Sequence, residues 1–120
     1  MDERTCVFVF GSNLAGRHGR GAALEARRRW GAVYGVGEGL TGHSYAIPTK
    51  DHDLRTRDLA DIQASVDRFI VFAHAHPEYL FQVTRVGCGL AGYQDHQIAP
   101  MFASAPDNCE LPEGWRKDRM

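Results

Sequence analysis

The sequence predicts one α/β domain with a mainly parallel sheet, and three observations carry that reading. A continuously apolar, β-rich run, Cys6-Val7-Phe8-Val9-Phe10, stops at Gly11, as a strand buried on both faces would. Strand-like runs then alternate with segments of helical periodicity, the order expected of βαβ units. Of the 13 glycines, nine lie between Gly11 and Gly42 and three between Gly87 and Gly92, so they cluster where loops are needed.

The elements follow in order. Gly11 through Gly21 reads as irregular loop. Ala22 to Trp30 is rich in Ala, Leu, Glu and Arg, strong helix formers, with Ala22, Ala23, Ala26 and Trp30 near one face. Gly31 through Gly42 is a second glycine-rich loop. Within it, Gly37-Glu38-Gly39-Leu40-Thr41-Gly42 matches Gly-x-Gly-x-x-Gly in letters, but it precedes a strand instead of opening a helix. It reads as flexible loop and not as a dinucleotide fingerprint. Ser44 to Ile47 is a short strand that Pro48 stops. Asp58 caps a helix of about 18 residues in which Leu59, Ile62, Val66, Phe69, Ile70 and Ala73 share a face; Pro77 ends it. Phe81 to Val86 is a strand, Gly87 to Gly92 a loop, and Asp95 to Phe102 a helical stretch capped by Asp95. Asn108 to Leu111 is a last short strand, and residues 112–120 read as a flexible tail of the single domain 1–120.

The chain has 120 residues, one domain's worth, and a formal net charge of -1. That balance gives no general electrostatic case for a nucleic-acid or membrane partner. No run of about 18 apolar residues spans a bilayer, and the charged start Met1-Asp2-Glu3-Arg4 is unlike a signal peptide. Three scattered cysteines, Cys6, Cys88 and Cys109, form no disulfide framework and fit reduced thiols in the cytoplasm. His74 and His76 are two apart, and His43 and His52 complete no ligand spacing, so neither a metal nor any other cofactor is expected.

Two loops leave a strand and enter a helix, the position where open α/β sheets bind ligands. In the first, Gly11 to Ala23, glycines leave backbone N–H groups free to face an anion at a helix start, and a pyrophosphate is the natural guest. The Gly-Lys-Ser/Thr ending of a P-loop is missing. Ser12 has no partners for a hydrolase triad. His18 beside Asn13 is either a general base, a phosphate ligand or a solvated loop histidine. Arg17 and Arg20, with Arg27 to Arg29, form either a solvated face or a positive rim that would suit an RNA end or a phosphate. In the second loop, Gly87-Cys88-Gly89-Leu90-Ala91-Gly92, the following Tyr93 is placed to stack on a sugar or base, or to pack on the surface.

Taken together, Gly-Ser-Asn…His-Gly-x-Gly-Ala-Ala and Val-Gly-Cys-Gly-Leu-Ala-Gly resemble the two ligand loops of macrodomains, over about Val7 to Phe102. The resemblance is greatest to the branch with terminal ADP-ribose protein glycohydrolase and ADP-ribose-1″-phosphate phosphatase, in a short bacterial or phage-borne format. It implies a three-layer macrodomain-like fold and ADP-ribose, or a related nucleotide diphosphate, as ligand. By that resemblance Asn13, Gly19, Gly21 and Ala22 would lie by the distal ribose, and Gly87, Cys88, Gly89, Leu90, Ala91 and Gly92 would wrap the diphosphate and the same ribose, with Gly11, Ser12 and Tyr93 as further ligand-binding residues. Tyr45-Ala46-Ile47-Pro48-Thr49-Lys50 matches the branch's strand that ends in a nucleophilic lysine, which implies Lys50 in that role. The acid that assists it falls at Ala91 here, which leaves His18 or Asp95 as acid/base partner for hydrolysis of ADP-ribose conjugates. The alternative is a non-catalytic sensor or sequestering protein for an ADP-ribose-derived nucleotide. The strand whose acid contacts adenine in many macrodomains has no counterpart before Cys6, and the oligomeric state is left open.

Overall fold

The computed structural model describes residues 3–116; the start of the chain and the last four positions of the expected tail lie outside the described residues. A five-stranded sheet has the order β2-β3-β1-β4-β5. Its strands are β1 (Thr5–Asn13), β2 (Gly39–Thr41), β3 (Ser44–Lys50), β4 (Tyr79–Val83) and β5 (Cys109–Glu110), and the helices are α1 (Gly21–Arg29), α2 (Leu59–Ala75) and α3 (Asp95–Ile98). β1 is central and parallel to both β3 and β4, β5 is parallel to β4, and only β2 runs antiparallel, against β3.

Alternation along β1 explains the layers. Val7 and Val9 belong to a large core with Ile62, Val66 and Phe69 of α2, while Phe8 and Phe10 face a smaller core with Ala23 and Ala26 of α1. A strand buried on both faces needs consecutive apolar residues, and Val7 to Phe10 supply them. Three layers result: α1, the sheet, and α2 with α3.

Several boundaries differ from expectation. β1 does not end at Gly11 but continues through Asn13, because Gly11, Ser12 and Asn13 pair with Ile47, Pro48 and Lys50. Pro48 does not stop β3: on that edge β2 covers only Ser44 to Ala46 and the next bridge is Lys50 to Thr56, so Pro48 lies in the gap between them, where a residue without an N–H is tolerated. A bulge between Ser12 and Asn13 skips Thr49 in the pairing, next to the carboxyl ends of both strands. The stretch from Gly37 to Gly42 is not a flexible loop. It contains β2, Arg68 clamps Glu38 with contacts of 2.7 and 3.1 Å, and a Cβ at Gly37 would lie 2.3 Å from the Asn13 carbonyl oxygen. β4 spans Tyr79–Val83, not Phe81 to Val86, since the chain turns where both the N–H and Oγ1 of Thr84 donate to the Val9 carbonyl. The expected helix from Asp95 to Phe102 is α3 followed by a 3-10 turn, Ala99–Phe102, that contains Pro100.

Residues 112–116 are not a solvated tail. Trp115 is buried with its ring 5.5 Å from Phe102. The Arg116 guanidinium donates to the carbonyls of Ala105, Pro106 and Cys109, each at 3.0 Å. On Cys109, the N–H donates to Pro106, so both of its backbone groups are occupied within the chain. No helix among the described residues is long and apolar enough to cross a membrane.

Candidate functional site

A cleft of about 900 Å³ opens at the carboxyl ends of β1, β3 and β4. Gly11, Ser12 and Asn13 lie at its base. One wall is Arg17 and Gly19 to Ala23, entering α1; the other is Val86 to Ala91, with Thr49, Lys50 and Leu54 beside it.

The start of α1 is electrostatically unusual. Its N-cap is Arg20, whose side chain accepts nothing; no side chain caps the helix, and the first turn holds no acid. The first-turn amides of Gly21, Ala22 and Ala23 therefore carry the positive end of the helix dipole into the cleft uncapped. Arg17, Arg20, Lys50 and Arg85 also line it, and among the described lining residues there is no carboxylate. Cations stacked on a helix N-terminus repel one another and the dipole, and an anion between them removes the conflict.

The first loop is built from within. Asn13 Nδ2 donates to the Arg17 carbonyl at 2.8 Å, and its Oδ1 accepts the Arg17 N–H at 2.9 Å. Ser12 Oγ donates to the Gly37 carbonyl and is buried. Both side chains thus brace the loop that carries Arg17 and Arg20. Gly16 has φ 71, and a Cβ there would lie 2.2 Å from the Gly35 backbone, so glycine is required.

His18 is neither solvated nor in the cleft wall. It is fully buried, with its ring centroid 5.3 Å from Phe10 and 6.3 Å from Tyr34. Neither ring nitrogen makes a well-formed hydrogen bond. Burial pushes its pKa below 6.5; proximity to the Val36 backbone opposes this and the Arg27 charge adds to it. The ring therefore lies enclosed behind the first loop, outside the lining of the cleft where the acid/base partner is expected.

Asp95 is likewise displaced from both expected roles. Gln94, not Asp95, is the N-cap of α3 and forms a reciprocal capping box with Gln97. The Asp95 carboxylate pairs with the Arg85 guanidinium and lines a second, shallower depression of about 570 Å³ with Gly92, Tyr93 and His96. Desolvation raises its pKa, but hydrogen bonds from Arg85 and Cys88 outweigh this and hold the carboxyl below its usual range. Tyr93 does not face the main cleft either; its hydroxyl donates to the Arg57 carbonyl at 2.6 Å. Gly92 and Tyr93 therefore drop out of the cleft wall, while Gly87, Cys88, Gly89, Leu90 and Ala91 remain.

Lys50 lines the cleft, and no hydrogen bond or ion pair engages its ammonium group among the described residues. Burial pushes the Cys88 thiol up to about 11, and Asp95 adds to this, so the sulfur is protonated near neutrality. No group of three His, Cys, Asp or Glu residues able to hold a metal exists among the described residues. Sequence reasoning missed Thr49 and Leu54, which reach the cleft through β3 and the turn after it, and Thr84 and Arg85, which follow β4. Their signal was positional: Thr49 stands next to the end of β3, Leu54 lies in the turn that follows it, and Thr84 and Arg85 come directly after β4.

A mainly parallel sheet lies between helices, with its cleft at the strand ends between two glycine loops, and its match to a solved structure identifies this as a macrodomain fold. Correspondingly, the structure is similar to the macrodomain of Mycobacterium tuberculosis DarG, with a TM-score of 0.65 and 24% identity over 86% of this chain and 81% of that one. No protein-family model matches the sequence, and no curated protein matches it.

Proposed function

We propose that this protein binds ADP-ribose or a related nucleotide diphosphate in the cleft between the two glycine loops, and that it acts as a binder. The observation that carries this reading is the uncapped start of α1 under Arg17 and Arg20, an arrangement that lacks charge balance until an anion enters. The likeness in fold to the DarG macrodomain supports the choice of ligand. Binding is favoured over hydrolysis because Ala91 occupies the place of the acid, His18 is enclosed, and Asp95 is held by Arg85 outside the cleft. General acid/base chemistry needs a titrating group within hydrogen-bond reach of the reacting atoms.

Titration calorimetry with ADP-ribose tests the reading. Gly21 has φ 55, so a side chain there perturbs the helix start. Gly89 has open space and no left-handed φ, so Gly89→Val fills the cleft without straining the fold. Its affinity should fall at least ~100-fold with little change in melting temperature. Unchanged affinity refutes the assignment of the cleft.

One observation favours the second reading, hydrolysis of ADP-ribose conjugates with Lys50 as nucleophile: its ammonium is unengaged and lines the cleft. Turnover by the wild type that Lys50→Ala abolishes, with ligand affinity retained, would establish it and displace the pure binder.

A further inference from the structure

We propose that the outer face of α1 and the adjoining Tyr34 bind a single nucleic-acid strand, with phosphates on Arg17, Arg20, Arg28 and Arg29 and a base on the Tyr34 ring. This surface runs away from the cleft, and the inference does not rest on the ligand proposed for it.

The whole chain has a net charge of -1, which gives no general case for such a partner; the case is local. Between Leu14 and Val36 the chain carries five arginines, Arg17, Arg20, Arg27, Arg28 and Arg29, and a single carboxylate, Glu25. All five arginines are exposed. Elsewhere the guanidinium groups of Arg57, Arg68, Arg85 and Arg116 each donate to an acceptor within the fold. Among the described residues, no hydrogen bond or ion pair holds those of Arg17, Arg20, Arg28 and Arg29, and Glu25 pairs with none of them. Helix polarity does not account for the run. Arg27 to Arg29 suit the negative end of α1, but Arg17 and Arg20 stand at its positive end. Unpaired like charges repel one another, and a polyanion relieves that repulsion.

An aromatic ring lies among these cations. Tyr34 is 57% exposed, and the Arg27 guanidinium sits over its ring, 5.3 Å from the centroid. Its segment is fastened to the first loop: the Gly35 N–H donates to the Gly16 carbonyl at 2.8 Å, and the His18 ring lies 6.3 Å from that of Tyr34. Tyr34 therefore adjoins both the loop that bears Arg17 and Arg20 and the helix that bears the other three. From its first residue to its last, α1 adds about 12 Å, room for several phosphates.

An exposed ring among guanidinium groups is what a single strand needs, since its bases stack on the ring while its phosphates meet the cations. An acidic peptide would satisfy the arginines but bring no regular flat ring to Tyr34. A duplex keeps its bases stacked on one another and away from it. Arginine at all five positions, with no lysine between Leu14 and Val36, also suits phosphate, which the planar fork engages through two hydrogen bonds.

Fluorescence anisotropy tests this with labelled strands of ~12 thymidylates or uridylates, a duplex of equal length, and polyglutamate as competitor. Wild type should bind both strands more tightly than the duplex, and polyglutamate should compete poorly; a preference between the two strands would name DNA or RNA as the source. Arg28→Gln and Arg29→Gln should each weaken strand binding several-fold at low salt and flatten the slope of log K against log salt by about 0.7. Tyr34→Ala should weaken it roughly tenfold without changing that slope, and Tyr34→Phe should restore it. The two arginine variants should leave the melting temperature and any affinity for ADP-ribose unchanged, since both residues lie outside the cores and the cleft lining. Strand binding by a protein that ignores ADP-ribose would remove the cleft reading and keep this one. Wild type that binds neither strand, or binds the duplex as tightly, overturns the proposal. So does strand binding that survives Arg28→Gln, Arg29→Gln and Tyr34→Ala. Competition by polyglutamate as strong as by a strand also overturns it and makes the face a dock for an acidic protein.

Discussion

The two glycine loops reach the same cleft by opposite means. The first is fixed from inside: Asn13 spans its own turn to Arg17, Ser12 reaches back to Gly37, Gly16 is pressed on Gly35, and His18 is packed under Phe10. The second closes backbone bonds of its own, from the N–H of Gly92 to Gly89 and of Tyr93 to Gly87, and is otherwise fixed from outside. Its middle, Gly89 to Ala91, is exposed or half-buried and leans on the turn from Asp51 to Arg57 through Thr56. The first loop therefore belongs to the folded core, and its geometry is set before a ligand arrives. The second depends on a neighbour that is itself a surface turn, so it is the wall better suited to adapt to the ligand.

The largest test of that contrast is a methyl group. Gly16→Ala places a Cβ into the Gly35 backbone at positive φ, and should cost ~3 kcal/mol or more, roughly a 10 °C fall in melting temperature. Gly89→Ala meets open space and should stay within ~2 °C of wild type. Comparable losses in both would mean that the loops do not differ in this way.

Hydrogen-bond deletions should differ in the same direction by less. Asn13→Ala removes two bonds at a buried residue and should destabilise by about 2 kcal/mol in urea unfolding. Thr56→Val removes one exposed bond and should cost under ~0.5 kcal/mol, while loosening ligand affinity more than stability. The reverse order would make the second loop the rigid one.

Acid should reveal the first loop alone. Unfolded His18 titrates near 6.5, and in the fold its pKa is lower. Between those two values the unfolded chain holds a proton that the folded chain does not. Stability therefore falls as pH drops below about 6.5 and levels off once the folded form is protonated too. Melting curves of wild type from pH 7 to 5 should show this loss, and His18→Phe, which keeps an aromatic ring against Phe10, should lessen it. An equal loss in both proteins would place the sensitivity elsewhere.

The same division governs what was legible in the sequence. Local chemistry was readable: the doubly buried β1, the periodic face of α2, and glycines clustered where positive φ is needed, as at Gly16, Gly21, Gly87 and Gly92. So were most of the cleft residues, since they lie in the two loops. What escaped depends on partners distant in the chain. Ser12 meets Gly37, Glu38 meets Arg68, and Trp115 meets Phe102, so a stretch that looked flexible and a segment that looked like a tail are both packed. His18 looks polar and local, yet its surroundings come from β1 and the segment around Tyr34. Asp95 was misplaced by one residue in capping, which is the usual uncertainty at helix ends.

Arg116 has a meaning beyond the cleft. A sheet's outer strand offers N–H and C=O groups in a row, and any extended segment of another molecule can add to them. At β5 the outward amide and carbonyl of Cys109 are spent on Pro106 and on the Arg116 fork, so this border is closed by the chain's own cation. At the far border, β2 is three residues long and offers little length to template on. Cleavage ahead of Arg116 would free the Cys109 carbonyl at the β5 border and leave its amide on Pro106, so the two halves of this closure come apart separately.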